Sequence, residues 1–306
     1  GGEGLVGRVR GMLEGVERSH VWFREQRDPA GIDCVSIAHP WESGMDNCPA
    51  WDDAMERIDP GLAPVFERRD KDKVANAAQE RPTDDHYKRY AVLVKAIAAN
   101  NYGHGLFAVY CPLMTSLLAK AEVDLARLAA RAGDDAMAAR AMERAATLSR
   151  GMMAHMWSAK LGRFTFVDGK TKEQIKPNAI GCYVPLVMNN TPFPLPEEAT
   201  KALLENLARD FLSAPYPLPS IPPSETELFD SRRYWRGPSW VNINYLIAEA
   251  LPAPMREDLV ARTLDMIAKA GFYEYFDPIT GEGIGADSFS WTASLAMEWL
   301  KPLMDN

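Results

Sequence analysis

Cysteine is scarce in this 306-residue chain, and Cys34, Cys48, Cys111 and Cys182 are scattered without any Cys-x-x-Cys spacing. That pattern indicates neither a zinc site nor a disulfide framework, and it makes a reducing cytoplasm the expected compartment. The five histidines, His20, His39, His86, His104 and His155, form no His-Glu-x-x-His pattern, so neither a catalytic metal nor another cofactor is expected. Positive charge is short as well. Thirty-four Lys and Arg against 42 Asp and Glu leave a net charge of -8 and a pI near 5.3. A nucleic-acid partner normally needs a basic stripe, so none is expected. No apolar run approaches the roughly 18 residues of a membrane span, so no membrane partner is expected either. The opening Gly1-Gly2-Glu3-Gly4 has neither an initiator Met nor a signal-peptide pattern, which leaves localisation open and raises the expectation that the natural N-terminus is absent.

What is present is ordinary globular material, 47% hydrophobic and 25% charged, enough for one large domain spanning 1–306. Apolar residues recur at helical spacing from Leu5 to Gln26, and again over 85–100, 114–132, 135–161, 196–212, 241–250, 255–270 and 288–304. The breaks carry helix-end chemistry: Gly133-Asp134, Pro194 to Pro196, and Pro252-Ala253-Pro254. Between Gly162 and Lys176, Arg163 to Val167 followed by Asp168-Gly169 predicts a small β-hairpin inserted among helices. Helix pairs joined by longer loops fit a helical toroid, and no short consensus repeat points to a solenoid.

Three runs concentrate the chemistry. The first is His39-Pro40-Trp41-Glu42-Ser43-Gly44-Met45-Asp46-Asn47-Cys48-Pro49. It describes a rigid loop presenting carboxylates beside a flat apolar ring, which suits a sugar, with one apolar face to stack and a rim of hydroxyls to bind. Breaking an acetal then needs a carboxylic acid. The second run is Arg232 to Tyr245, with Tyr234-Trp235-Arg236-Gly237-Pro238-Ser239-Trp240 at its centre. The third contains Tyr273-Glu274-Tyr275-Phe276-Asp277-Pro278, then Gly281 to Gly285, then Phe289-Ser290-Trp291-Thr292.

In this order the three runs resemble glycoside hydrolase family 63, particularly its bacterial mannosylglycerate and glucosylglycerate hydrolases, with trehalase a more distant relative. The motifs cover the beginning, the last third and the end of the chain, and the middle carries none. The resemblance implies an all-α (α/α)6 barrel. It also implies that the N-terminal helical pairs are missing, because in relatives a long part of the barrel precedes the His-Pro-Trp-Glu-Ser-Gly segment. Such an open barrel would expose apolar helix faces, which a missing segment or an oligomeric partner would cover.

By position in the motifs, the resemblance makes Asp46 the general acid and Glu274 the general base of an inverting α-glycosidase, two carboxyls roughly 6.5 to 9.5 Å apart. Its substrate would be a small α-glucoside or α-mannoside such as glucosylglycerate or mannosylglycerate. An α-glucosidase or trehalase-like hydrolase of short oligosaccharides is the alternative enzyme. A catalytically incomplete fragment, limited to sugar binding or assembly, is the alternative from another class. Packing against Trp and Met should raise the pKa of Asp46 and favour its acid form. Trp41 and Trp235 are the expected stacking platforms, with Tyr234 beside them as a hydrogen-bond donor. Glu42 should accept sugar hydroxyls, and Asn47 should orient it or bind the ring. Arg236 would hold a site carboxylate or an anionic aglycone such as glycerate.

Each assignment has a structural competitor. Asp46 would cap a short helix near Pro49, and Glu42 would pair with an Arg. Glu282 competes with Glu274 as base, Trp41 and Trp235 would be core, and Arg236 a buried salt bridge. Asp277 is expected to start a turn and His39 to lock a loop. His86, Tyr87, Lys88, Arg89 and Tyr90 receive no role.

Overall fold

Each stretch of helical periodicity in the sequence contains a helix. In the computed structural model, which describes residues 2–70, 74, 76–103 and 105–304, with the side chains of 2–6 and 302–304 excepted, the chain runs α1 (Gly2–Gln26), β1 (Ser36–Ile37), α2 (Asp52–Glu56), α3 (Ala77–Glu80), α4 (Asp84–Ala99), β2 (Val109–Tyr110), α5 (Pro112–Arg131) and α6 (Asp135–His155). It continues through β3 (Trp157–Ser158), β4 (Arg163–Phe164), β5 (Val167–Asp168), α7 (Glu197–Asp210), α8 (Val241–Ala248), α9 (Ala253–Ala270), β6 (Tyr275–Phe276), β7 (Gly283–Ile284) and α10 (Ser290–Met304). Gly1, His104 and the side chains of Leu5 and Val6, to which the sequence reading assigned places, lie outside the described residues.

Helix ends follow local chemistry. The Thr83 hydroxyl accepts the His86 N–H at the start of α4, where Asp84 and Asp85 favour the positive end of the helix dipole. The Asp134 carboxylate accepts the Met137 N–H at 2.9 Å to start α6. Gly133, at φ +79°, separates α5 from α6, and the two helices pack along one another. α6 ends at His155 rather than Leu161. Trp157–Ser158 turns away from the helix to pair antiparallel with Arg163–Phe164, and the Thr165 N–H donates to the Met156 carbonyl at 2.8 Å.

The predicted hairpin closes at Asp168–Gly169, with Val167 opposite Gln174, but its first strand is not isolated. β5 also pairs antiparallel with β2, which pairs with β1, to make a three-stranded sheet of two-residue strands. This sheet leads β1 straight into the loop carrying Trp41 and Asp46. A large apolar core runs beneath it, in which Trp51, Phe107, Phe164, Phe166, Tyr183 and Tyr275 are each at most 1% exposed. Among the described residues no helix is long and apolar enough to cross a membrane.

Candidate active site

The loop after β1 is held at almost every residue. Pro40–Ser43 forms a 3-10 turn begun by His39, whose Nδ1 accepts the Trp41 N–H at 3.0 Å. Gly44 ends the turn at φ +74°, a conformation that costs glycine nothing. Since Nδ1 accepts, the His39 proton sits on Nε2 and donates to the Tyr90 carbonyl at 3.2 Å. Burial pushes the His39 pKa down to about 4, opposed by that hydrogen bond and by Glu42, so the ring stays neutral. His39 is thus the loop lock that the sequence predicts.

Beyond the turn, the Trp51 indole donates to the Met45 carbonyl at 2.6 Å and the Tyr90 phenol donates to the Asp46 carbonyl at 2.6 Å. The short helix at Pro49 begins at Cys48 with no side-chain cap, so Asp46 does not serve as one. Burial pushes the Asp46 pKa up to about 7, with Arg81 pulling it down and Glu274 pushing it further up.

The second and third runs close over this loop. Tyr234 sits at φ +45°, rare for a non-glycine residue, and turns its phenol toward Glu274 Oε1 at 3.4 Å. Glu274, 8% exposed, precedes the β6–β7 pairing of Tyr275 with Ile284. Its Oε2 accepts the Ala286 N–H at 3.2 Å. A Cβ on Gly285, itself at φ +79°, would lie 2.8 Å from Glu274 Oε2 and 2.6 Å from the Tyr275 ring, so glycine is what lets this loop close on the carboxylate.

Long-range contacts join the three runs. Asn47 Oδ1 accepts the Trp235 N–H at 2.9 Å across 188 residues, and Arg236 forms an ion pair with Asp52 across 184. Arg81 donates through Nη1 to Glu274 Oε1 at 3.0 Å and through Nη2 to Oε2, with its guanidinium 4.6 Å over the Tyr234 ring. Among the described residues, three of the buried donors that lack a protein partner belong to this site: Asn47 Nδ2, Arg81 Nε and Trp235 Nε1. Buried polar groups are ordinarily satisfied, so these three are exceptions among the residues that join the runs.

The predicted residues divide accordingly. Asp46, Glu274, Asn47, Tyr234 and Trp235 come together. Trp41, 47% exposed, offers an open face and packs its other side on His39 and Tyr90. Trp235, 2% exposed, is stacked on Trp240 at 4.1 Å, so its ring is core packing rather than a platform. Glu42 is committed to Arg27, with contacts of 2.6 and 3.1 Å, and to the Ala38 N–H at 2.8 Å. Arg236 borders a 470 Å³ cleft shared with Asp52, Thr83, His86, Arg89 and Arg233. Glu282 is exposed and paired with Arg232 at 2.6 Å. Asp277 starts a turn, accepting the Ile279 and Thr280 N–H groups at 2.8 and 3.1 Å. A separate 420 Å³ cleft lined by Pro49, Arg57, Asp168 and Lys176 holds none of the predicted residues.

Sequence reasoning missed Arg81 and Tyr90. Arg81 lies in a loop with no periodicity, beside the Pro82 that breaks the chain before α4. Its burial, at 8% exposure, and its pairing with Glu274 arise only in the folded chain. Tyr90 reads as an ordinary core position of an amphipathic helix.

A helical scaffold that brings two carboxyls, an open indole and unpaired donors into one place belongs to the helical-toroid carbohydrate-active class. The chain superposes on the crystal structure of the family 63 mannosylglycerate hydrolase from Thermus thermophilus in complex with Tris and D-glycerate with a TM-score of 0.87 and 32% identity, covering 96% of this chain and 71% of that one. It is 36% identical over 295 residues to the mannosylglycerate hydrolase of Rubrobacter radiotolerans, covering 91% of this chain. It is 29% identical over 309 residues to the glucosylglycerate hydrolase of Mycolicibacterium hassiacum, covering 92% of this chain. The chain spans 65% and 66% of the lengths of these two relatives. Residues 3–292 match the family model described as the mannosylglycerate hydrolase MGH1-like glycoside hydrolase domain, and the chain belongs to that family.

Proposed function

We propose that this chain hydrolyses a small α-mannoside or α-glucoside with inversion, mannosylglycerate or glucosylglycerate in particular, with Asp46 as general acid and Glu274 as general base. The observation that carries this reading is the contrast between two carboxyls in one site. Burial holds Asp46 in its acid form up to about pH 7, whereas Glu274 is ion-paired with Arg81. Asp46 delivers its proton to the glycosidic oxygen as the bond to the anomeric carbon breaks. Water attacks that carbon from the opposite face and gives its proton to Glu274. Arg81, Tyr234 and the Ala286 N–H occupy the Glu274 oxygens. The longest contact is that of Tyr234 at 3.4 Å, so Oε1 is where the attacking water exchanges in.

The Trp41 face supports the apolar side of the sugar, and Asn47 and Trp235, joined to each other, brace the loops on either side of it. Residues 1–306 belong to a single catalytic domain acting on a small carbohydrate, with neither nucleic acid nor membrane as partner. Four buried free cysteines fit a cytoplasmic setting.

Hydrolysis of mannosylglycerate, glucosylglycerate and trehalose, followed by proton NMR of the released anomer, tests this. The β-anomer is expected first, with loss of activity in both Asp46→Asn and Glu274→Gln. Release of the α-anomer, or an active Asp46→Asn or Glu274→Gln variant, overturns the mechanism. A folded but inactive parent overturns the reading of this chain as sufficient for catalysis.

A further inference from the structure

Tyr90 reaches both ends of the Asp46 loop. It lies on α4, 1% exposed, and touches the loop twice. Its backbone carbonyl accepts the His39 Nε2 proton at 3.2 Å where the loop begins. Its phenol donates to the Asp46 carbonyl at 2.6 Å where the loop ends. Between these points its ring packs against His39 and Trp41, with centroids 5.3 and 5.5 Å away.

The peptide it grips has two functional sides. One carries the Asp46 carboxyl. The other begins Asn47, whose Oδ1 takes the Trp235 N–H and whose Nδ2 is among the unpaired donors. Fixing the Asp46 carbonyl fixes the orientation of that peptide plane, and with it the direction in which the carboxyl leaves the backbone. Burial and the nearby Asp46 raise the Tyr90 pKa well above its ordinary value, so the phenol remains a donor at every working pH.

We propose that Tyr90 is a positioning residue for proton delivery: it sets the aim of the Asp46 carboxyl without touching substrate. This rests on the assignment of Asp46 as general acid. Positioning of this kind acts on the transition state in which the proton moves, and not on the binding of the ground state. Its loss should therefore be felt in kcat with a leaving group that needs protonation, and scarcely with one that does not.

The test compares Tyr90→Phe with the parent on mannosylglycerate or glucosylglycerate and on the corresponding α-glycosyl fluoride, whose fluoride departs with little acid assistance. The ratio of the two rates cancels any change in the folded fraction, so the result survives a partly unfolded variant. The expected outcome is a fall in kcat of about 10- to 100-fold on the glycoside with KM little changed, and a fall within about threefold on the fluoride. His39→Phe, which cuts the other attachment, should show the same selectivity. Equal losses on both substrates in Tyr90→Phe, or none on either, overturn the proposal while an inactive Asp46→Asn on the glycoside leaves the acid assignment standing. Wild-type rates for Asp46→Asn on the glycoside overturn that assignment, and the role of Tyr90 with it.

Discussion

Asp46 and Glu274 carry the same functional group and differ in what surrounds it. Among the described residues no guanidinium is hydrogen-bonded to the Asp46 carboxyl. Burial makes its charged form costly, and its pKa rises from 3.8 to about 7. Glu274 is buried too, but with Arg81 on both oxygens. The rate should therefore have a basic limb near pH 7, falling as Asp46 loses its proton. The sign for stability follows the same shift. Between pH 3.8 and about 7 the native state holds a proton that the unfolded chain releases. The contribution of Asp46 to stability is therefore full below pH 3.8 and is lost as pH rises through 7. Asp46→Asn should be inactive, yet gain thermal stability over the parent at pH 8 while matching it near pH 4. A basic limb well below pH 6 in the kcat/KM profile, or no pH-dependent stability gap, contradicts this account of Asp46.

At the scale of elements, α1, α5 and α6 are tied by a buried ionic cluster. Glu122 of α5 accepts from Arg144 of α6 at 2.6 and 2.9 Å and lies 3.4 Å from His20 of α1, while Arg144 also reaches Glu17 of α1 at 3.1 Å. Glu122 is fully buried, and although burial opposes its ionisation, His20 and Arg144 hold its pKa below the ordinary 4.5. Removing Glu122 leaves the largely buried Arg144 guanidinium with Glu17 as its one carboxylate partner among the described residues, so Glu122→Ala should lower stability by about 3 kcal/mol in urea unfolding at pH 7. A depressed carboxylate pKa contributes above its unfolded value and loses that contribution as pH falls, so the gap between parent and variant should narrow below pH 4.5. Equal stabilities at pH 7 reject the clamp.

The long helices were legible because eight stretches repeat apolar residues at 3.6 spacing. α2 and α3, of five and four residues, are too short to show a period, and the two-residue strands exist only because distant partners meet. The overrun of α6 has the same origin. Residues 157–161 keep an acceptable helical pattern, but pairing with Arg163–Phe164 takes precedence.

Across the whole molecule, the site is the seam between the first and last thirds of the chain. Arg81 to Glu274, Asn47 to Trp235 and Asp52 to Arg236 bridge 193, 188 and 184 residues. A ligand bound there engages both thirds and stabilises only the state in which they are joined. With the Glu274→Gln variant, bound glycoside at 100 times its Kd should add about 2.7 kcal/mol and move a single cooperative thermal transition upward. Two transitions, of which only one responds, would mean that the thirds unfold separately and that the seam is not structural.

The sequence by itself determined the helices, most of their ends, and the three loops that carry Asp46, Trp235 and Glu274, because periodicity, capping and turn chemistry act over a few residues. Tertiary structure decided which side chains those loops spend on one another. Glu42 went to Arg27, Arg236 to Asp52 and the ring of Trp235 to Trp240, while Arg81 and Tyr90, unremarkable in sequence, came to hold the two carboxyl-bearing loops. Those choices depend on contacts between residues as much as 193 positions apart, a separation at which no local pattern in a sequence carries a signal.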